Sequence, residues 1–217
     1  MRNHFDEQLA LLNTKLIEMG AMCENVIETV VQALIEGKPE IAKEVIVSGK
    51  EIDNMEREIE SICLKLLLSQ QPVARDLRQV SAALKMITDM ERIGDQAEDI
   101  AEMVIFLQGK TAEASKDIKL MAQAATKMVI GSVEAYVRQD INQAMSVINQ
   151  DDIVDDYFNK IKENLITTIG NKEADGEMAV DLLLIAKYFE RIGDHATNIA
   201  EWVMFSITGD HNGGCGK

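Results

Sequence analysis

The chain has almost nothing that breaks a helix or builds a sheet. Two prolines are spread over 217 residues, and aromatic residues make up only 4%. With abundant Ala, Leu, Ile, Met, Glu and Lys, that poverty favours helix over strand. The three cysteines, Cys23, Cys63 and Cys215, form no CxxC pair and no Cys/His spacing of the zinc-binding kind, which argues against a zinc-finger-like site. Cys23 and Cys63 sit in apolar helical stretches, where a thiol packs as a small hydrophobe in a reducing compartment. No apolar run approaches the roughly 18 residues of a membrane span, and Met1-Arg2-Asn3-His4-Phe5-Asp6-Glu7 lacks the apolar core of a signal peptide. A cytoplasmic protein is expected, meeting a membrane only through partners. Basic charge is scarce too: 22 Lys and Arg stand against 37 Asp and Glu, a formal net charge of −15. Such a chain repels phosphate backbones, which argues against a nucleic-acid partner; cations and basic protein surfaces suit it better.

What remains is a globular balance, 47% apolar and 27% charged, and six long amphipathic segments. The first runs from about Asp6 to Glu36, with Leu9, Leu12, Leu16, Met19, Cys23, Val26 and Val30 at heptad-like spacing. Gly37 ends it, and Pro39 opens a second that lasts to about Ser69. A third spans Pro72 to Gln108 and stops at Gly109. Three more follow: Ala112 to Gln139, Ile141 to Ile169 behind an Asp140 cap, and Asp175 to Thr208, with Gly170 and Gly209 closing the last two. Helices this long bundle. The expected fold is all-α, two tandem three-helix bundles, with units 1–109 and 110–209 and a flexible tail at 210–217. In that tail His211 and Cys215 offer at most an adventitious metal contact.

The two halves repeat one another. Glu91-Arg92-Ile93-Gly94-Asp95-Gln96-Ala97-Glu98-Asp99-Ile100-Ala101-Glu102 returns as Glu190-Arg191-Ile192-Gly193-Asp194-His195-Ala196-Thr197-Asn198-Ile199-Ala200-Glu201, at a constant offset of 99 residues with nine of twelve positions identical. On a helix, Glu91, Asp95 and Asp99 fall i, i+4, i+8 along one side, as do Glu190, Asp194 and Asn198. Like charges so spaced cost a helix roughly 0.2–0.5 kcal/mol per pair. Solvent and salt can relieve the repulsion, as on any solvated acidic face; so can a bound cation, since carboxylates are hard ligands suited to Mg²⁺, Ca²⁺, Mn²⁺ or iron. Arg92 and Arg191 offer a third answer, pairing with the same carboxylates in place of a metal. Duplication at equivalent positions puts metal binding ahead. The second helices align at an offset of 102, Asp53 with Asp155, so each could complete a site from the neighbouring helix or stand as an ordinary exposed acid. The three residues gained by the first repeat lie around Gln71 to Arg78, as a charged helix entry or an interaction surface.

Gln70-Gln71-Pro72-Val73-Ala74-Arg75-Asp76-Leu77-Arg78, followed by Ala83-Leu84-Lys85-Met86 and Asp89-Met90-Glu91-Arg92-Ile93-Gly94-Asp95, resembles the PhoU family; Glu190-Arg191-Ile192-Gly193-Asp194-His195-Ala196 is similar to its second signature. The resemblance covers essentially the whole chain. It implies two three-helix bundles related by a pseudo-twofold axis, in an accessory protein of the phosphate-specific ABC transporter. Such a protein negatively regulates phosphate uptake and the phosphate-starvation two-component response. It implies contacts with the transporter's ATPase subunit and with the phosphate-sensing histidine kinase, and a homodimer. Family members carry multinuclear clusters, iron or zinc in some, on the acidic motifs of the third and sixth helices. Residue by residue this nominates Glu91, Asp95, Glu190 and Asp194, with Asp99 one turn further. Asn198 stands in place of Asp99, Thr197 in place of Glu98 and Tyr188 in place of Asp89, so the second site is expected to be weaker. His195 replaces Gln96 about 100° around the helix from Asp194 and is expected to be a helix-surface or packing histidine rather than a ligand.

Enzyme chemistry has little to stand on. A carboxylate di-iron bundle uses Glu-x-x-His pairs, and the residues three before His4, His195 and His211 are Met1, Ile192 and Thr208. No nucleophile–base constellation or phosphate-cradling glycine loop is present. A regulator acting by contact is therefore expected, against the alternative of a plain helical scaffold whose acidic motifs are closed by internal arginine pairs.

Overall fold

The computed structural model describes residues 2–69, 73–107, 115–171 and 176–210. Six helices fill them: α1 (Arg2–Glu36), α2 (Pro39–Ser69), α3 (Ala74–Leu107), α4 (Ser115–Arg138), α5 (Ile141–Gly170) and α6 (Gly176–Thr208). No strand occurs among the described residues. The expected helix limits at Pro72, Gln108, Gly109, Ala112 and Asp175, the boundary between 109 and 110, and the tail beyond Asp210 lie outside them.

Two local details differ from expectation. α1 starts at Arg2 rather than Asp6, because Phe5 is buried and fastens the first turn to the core. Gly170 does not terminate α5 by left-handed backbone; it belongs to the last turn, and Asn171 caps it with αR geometry, its N–H donating to the Thr167 carbonyl at 3.0 Å. Three other signals act as read. Gly37 (φ 62°) and Gly209 (φ 81°) end α1 and α6 in the left-handed region. The Asp140 carboxylate accepts from the N–H groups of Asn142 and Gln143 at 2.9 and 3.1 Å.

α1, α2 and α3 form one bundle and α4, α5 and α6 the other. α3 packs along α6 and α1 against α4, while α2 and α5 sit at the outer edges. The α3–α6 pair is antiparallel, with Arg78 beside Gly209 at one end and Asp89 beside His195 midway. A single continuous core runs through both bundles. Tyr136 of α4 crosses it, buried, its hydroxyl donating to the Gln79 carbonyl of α3 at 2.9 Å. Cys23 and Cys63 are free and buried in the same core. Among the described residues no helix is long and apolar enough to cross a membrane.

The glycine of each signature has a steric role. A Cβ on Gly94 would stand 3.1 Å from Ile52 Cδ1 of α2, and one on Gly193 would stand 3.3 Å from Val154 Cγ1 of α5. Ile52 and Val154 correspond at the offset of 102 that relates the second helices. Each half therefore brings its second helix onto its third at the same point.

Gly94→Val overfills this contact and should lower the unfolding free energy by about 1–3 kcal/mol in urea titrations. Gly170→Ala, whose methyl meets nothing within 4 Å, should leave it unchanged or slightly raised.

Candidate metal centre

Asp53 of α2 and Glu91 and Asp95 of α3 each present a carboxylate oxygen within 4.8 Å of the other two, and all three residues are half-buried. Glu91 and Asp95 converge because four residues are about one turn. Asp53 joins them because the preceding Ile52 is seated on Gly94. The Glu91 carboxyl is raised from its ordinary range, first by burial, then by Asp95, with Asp53 and Glu56 adding and Arg92 opposing. Arg92 donates from Nη1 to Asp95 Oδ2 at 2.9 Å, and its Nε stands 3.5 Å from Glu91 Oε2. Its side chain is 55% exposed, and a pair held in solvent is worth about 0–1 kcal/mol. The guanidinium thus pairs with Asp95 and Glu91, and no ion pair between it and Asp53 occurs among the described residues.

Glu98 supplies a fourth acid. It lies across Gly49 of α2, where a Cβ would collide with its carboxylate. Burial raises its pKa first, then Asp53, Asp95 and Glu102. The second half reaches a similar composition by another route. Gly49 corresponds to Asp151 at the offset of 102, and Glu98 to Thr197 at the offset of 99. The carboxylate has moved from the third helix of its bundle to the second, and the small residue has moved the other way. Asp151 is pushed up to about 6, by burial first and then by Asp155 and Asp194, while the facing Thr197 hydroxyl opposes. The acid that Thr197 removes is thereby replaced. Sequence reasoning missed Asp151; the signal was the reciprocal exchange, visible once both offsets are applied together.

The second half gathers Asp151, Asp155, Glu190 and Asp194. Asp155 and Asp194 are both raised, by burial first, with Glu190 next and Lys187 opposing. Lys187 contacts the Glu190 carboxylate and also lies 5.4 Å over the Phe158 ring; Thr88 holds its place in the first half. Among the described residues only Asp53, Glu91 and Asp95 bring three ligand atoms within 4.8 Å of one another. The two halves thus hold matching sets of acids, with an ammonium drawn onto one of them in the second.

Asp99 lies outside the Asp53–Glu91–Asp95 trio, although its charge acts on Glu98. Asp99 turns to the α3–α6 seam, where burial, Glu102 and Asp95 raise it and Arg191 of α6 opposes. Asn198 Nδ2 donates to Asp89 Oδ1 at 3.2 Å, and His195 Nδ1 is 2.9 Å from the same oxygen. The row expected to act as one therefore divides between two neighbours. Hard, partly desolvated, mutually repelling carboxylates fit Mg²⁺, Mn²⁺, Ca²⁺ or iron better than zinc with its preference for N and S ligands.

A duplicated helical protein with a carboxylate cluster between the second and third helices of each half is the class these features define. The chain belongs to the PhoU family: the PhoU domain matches residues 16–104 and again 118–203. It is 35% identical over 210 residues to a Clostridium acetobutylicum protein named phosphate-specific transport system accessory protein PhoU homolog, covering 96% of each chain. A Thermotoga maritima relative, PhoU homolog 1 of the same name, is 31% identical, with 95% of this chain and 90% of that one covered. The crystal structure of PhoU from Pseudomonas aeruginosa superposes with a TM-score of 0.88 at 30% identity, over 95% of this chain and all of that one (100%). That of the phosphate transport system regulatory protein PhoU from Streptococcus pneumoniae gives 0.87 at 25% identity, over 95% and 98%.

Asp151 ionises at its ordinary 3.8 in the unfolded chain but at about 6 in the fold. Between those values the fold binds the extra proton, so raising the pH through the window destabilises it. Urea midpoints in chelator should fall from pH 3.8 to about 6. Asp151→Asn should remove part of that fall.

Proposed function

We propose that this chain is a cytoplasmic accessory protein of a phosphate-specific transport system. In this reading it negatively regulates phosphate uptake and the phosphate-starvation two-component response through protein contacts. The partners are the ATPase subunit of the transporter and the phosphate-sensing histidine kinase, and the working form is a homodimer. Support comes from the shared name of relatives matched along nearly their whole length, and from a fold that offers helical surfaces rather than a reaction centre. A net charge of −15 suits basic partner surfaces and makes the contacts salt-sensitive.

The observation that carries the metal side of the proposal is the Asp53–Glu91–Asp95 trio. These three, with Glu98 beside them, would hold a cation in the first half; Asp151, Asp155, Glu190 and Asp194 would do so in the second. When bound, iron or another divalent or trivalent ion supplies positive charge that offsets the repulsion among the acids and ties the second helix of each bundle to the third. Asp99 and Asn198, at the seam, keep the positions from which they could extend a multinuclear cluster. The second reading is a metal-free scaffold, favoured by the Arg92 pairs with Asp95 and Glu91.

Elemental analysis of protein purified without chelator separates the two. Asp95→Asn should lower metal content by at least about half, and Asp194→Asn by a smaller fraction because Lys187 already sits on Glu190. A wild type without metal would support the scaffold reading, and unchanged metal in both variants would rule these sites out. Capture on the transporter ATPase should occur at low salt and weaken as salt rises; failure at low salt would remove the adaptor role.

A further inference from the structure

The side of the molecule formed by α1 and α4 carries a groove of about 470 Å³. Its floor is apolar, made by Ile27, Val31, Ala122 and Ile130. Its walls bear opposite charges, Glu24 and Glu28 on α1 against Lys119 and Lys127 on α4. None of these four makes an ion pair or hydrogen bond among the described residues. The contrast runs along both helices. In α1, Arg2 and Lys15 are outnumbered by Asp6, Glu7, Glu18, Glu24, Glu28 and Glu36, a net −4. In α4, Lys116, Lys119, Lys127 and Arg138 outnumber Asp117 and Glu134, a net +2, whereas the other helices are all net negative.

We propose that this face is where two copies of the chain associate, α1 of each lying on α4 of the other. The inference deepens the homodimer reading above and rests on it. A twofold interface must be self-complementary, and two chains of −15 each repel unless opposite charges meet locally. α1 and α4 are antiparallel neighbours, since Gly20 lies against Val133 while Ile27 and Val31 share the groove with Ala122 and Lys119. A twofold axis running along the groove sets acidic α1 over basic α4 on both sides and preserves height. Glu24 and Glu28 of one copy then come level with Lys127 of the other. An axis running across the groove would instead stack α1 on α1, acid against acid. Two smaller grooves flank the first, one between α1 and α2 at Met22 and Ser48 and one between α4 and α5 at Gly131 and Val147. They give the face the corrugation that helix-on-helix packing uses.

Sedimentation equilibrium of the full chain, at low and high salt, tests the proposal. The wild type should dimerise and weaken with salt. Lys127→Glu should raise the dissociation constant at least about tenfold, and adding Glu28→Lys should recover most of the loss, with unchanged circular dichroism throughout. A wild type that stays monomeric would overturn both the proposal and the homodimer reading. A dimer indifferent to Lys127→Glu, or a double variant no better than the single one, would overturn this surface alone. Neither outcome bears on the metal content of the acidic clusters.

Discussion

The arrangement of the acids depends on one steric contact made twice. Where α3 lacks a side chain at Gly94, Ile52 of α2 can sit against its backbone, and Val154 of α5 does the same at Gly193. The glycines stand mid-helix, where an alanine would be more favourable by about 1 kcal/mol on propensity alone. Their position is explained by what the approach achieves. It brings Asp53, next in sequence to Ile52, within reach of Glu91 and Asp95 on the neighbouring helix.

Close approach also raises the electrostatic cost. Glu91, Glu98, Asp99, Asp151, Asp155 and Asp194 are all raised from the ordinary carboxylate range, in every case by burial first and neighbouring acids next. Arg92 and Lys187 offset part of this in different ways. Arg92 reaches its carboxylates from the solvent side; Lys187 contacts Glu190 from the same helix and packs its charge over Phe158. The first cluster carries a guanidinium on Asp95 and Glu91, and the second an ammonium on Glu190. The two halves therefore differ in where the compensating charge is placed rather than in acid count.

Much of the fold was legible, because long helices with few breakers leave little choice of topology and because the repeat shows where one bundle ends and its counterpart begins. The acidic row was legible as a line on one helix. Its surroundings were not: i, i+4 and i+8 on one helix span about 12 Å, far enough for Asp99 to feel the charge of Arg191 of α6 while Glu91 and Asp95 gather with Asp53 of α2. That depends on which neighbour lies on which side, a tertiary fact with no local signal. Asp151 stayed hidden for another reason. On its own helix it is one of four closely spaced acids with Asp152, Asp155 and Asp156; only its correspondence to Gly49, beneath Glu98, marks it out.

Duplication has let the two halves diverge where the pseudo-twofold does not constrain them. At the α3–α6 seam Asp89 accepts from Asn198 and meets His195, while the counterparts of these residues are Tyr188, Asp99 and Gln96. A polar contact on one side of the seam therefore has no copy on the other. At α1 and α4 the divergence is in sign of charge. The apolar positions facing the common core resist such change, because a misplaced charge there costs several kcal/mol. The outward positions are free to differ, and a difference in sign between adjacent helices creates a directional surface that a symmetric duplication would lack. Acids gathered at the glycine contacts and charge opposed across the α1/α4 groove are separate consequences of one gene-level event, the first retained in both halves and the second arising because they were allowed to drift apart.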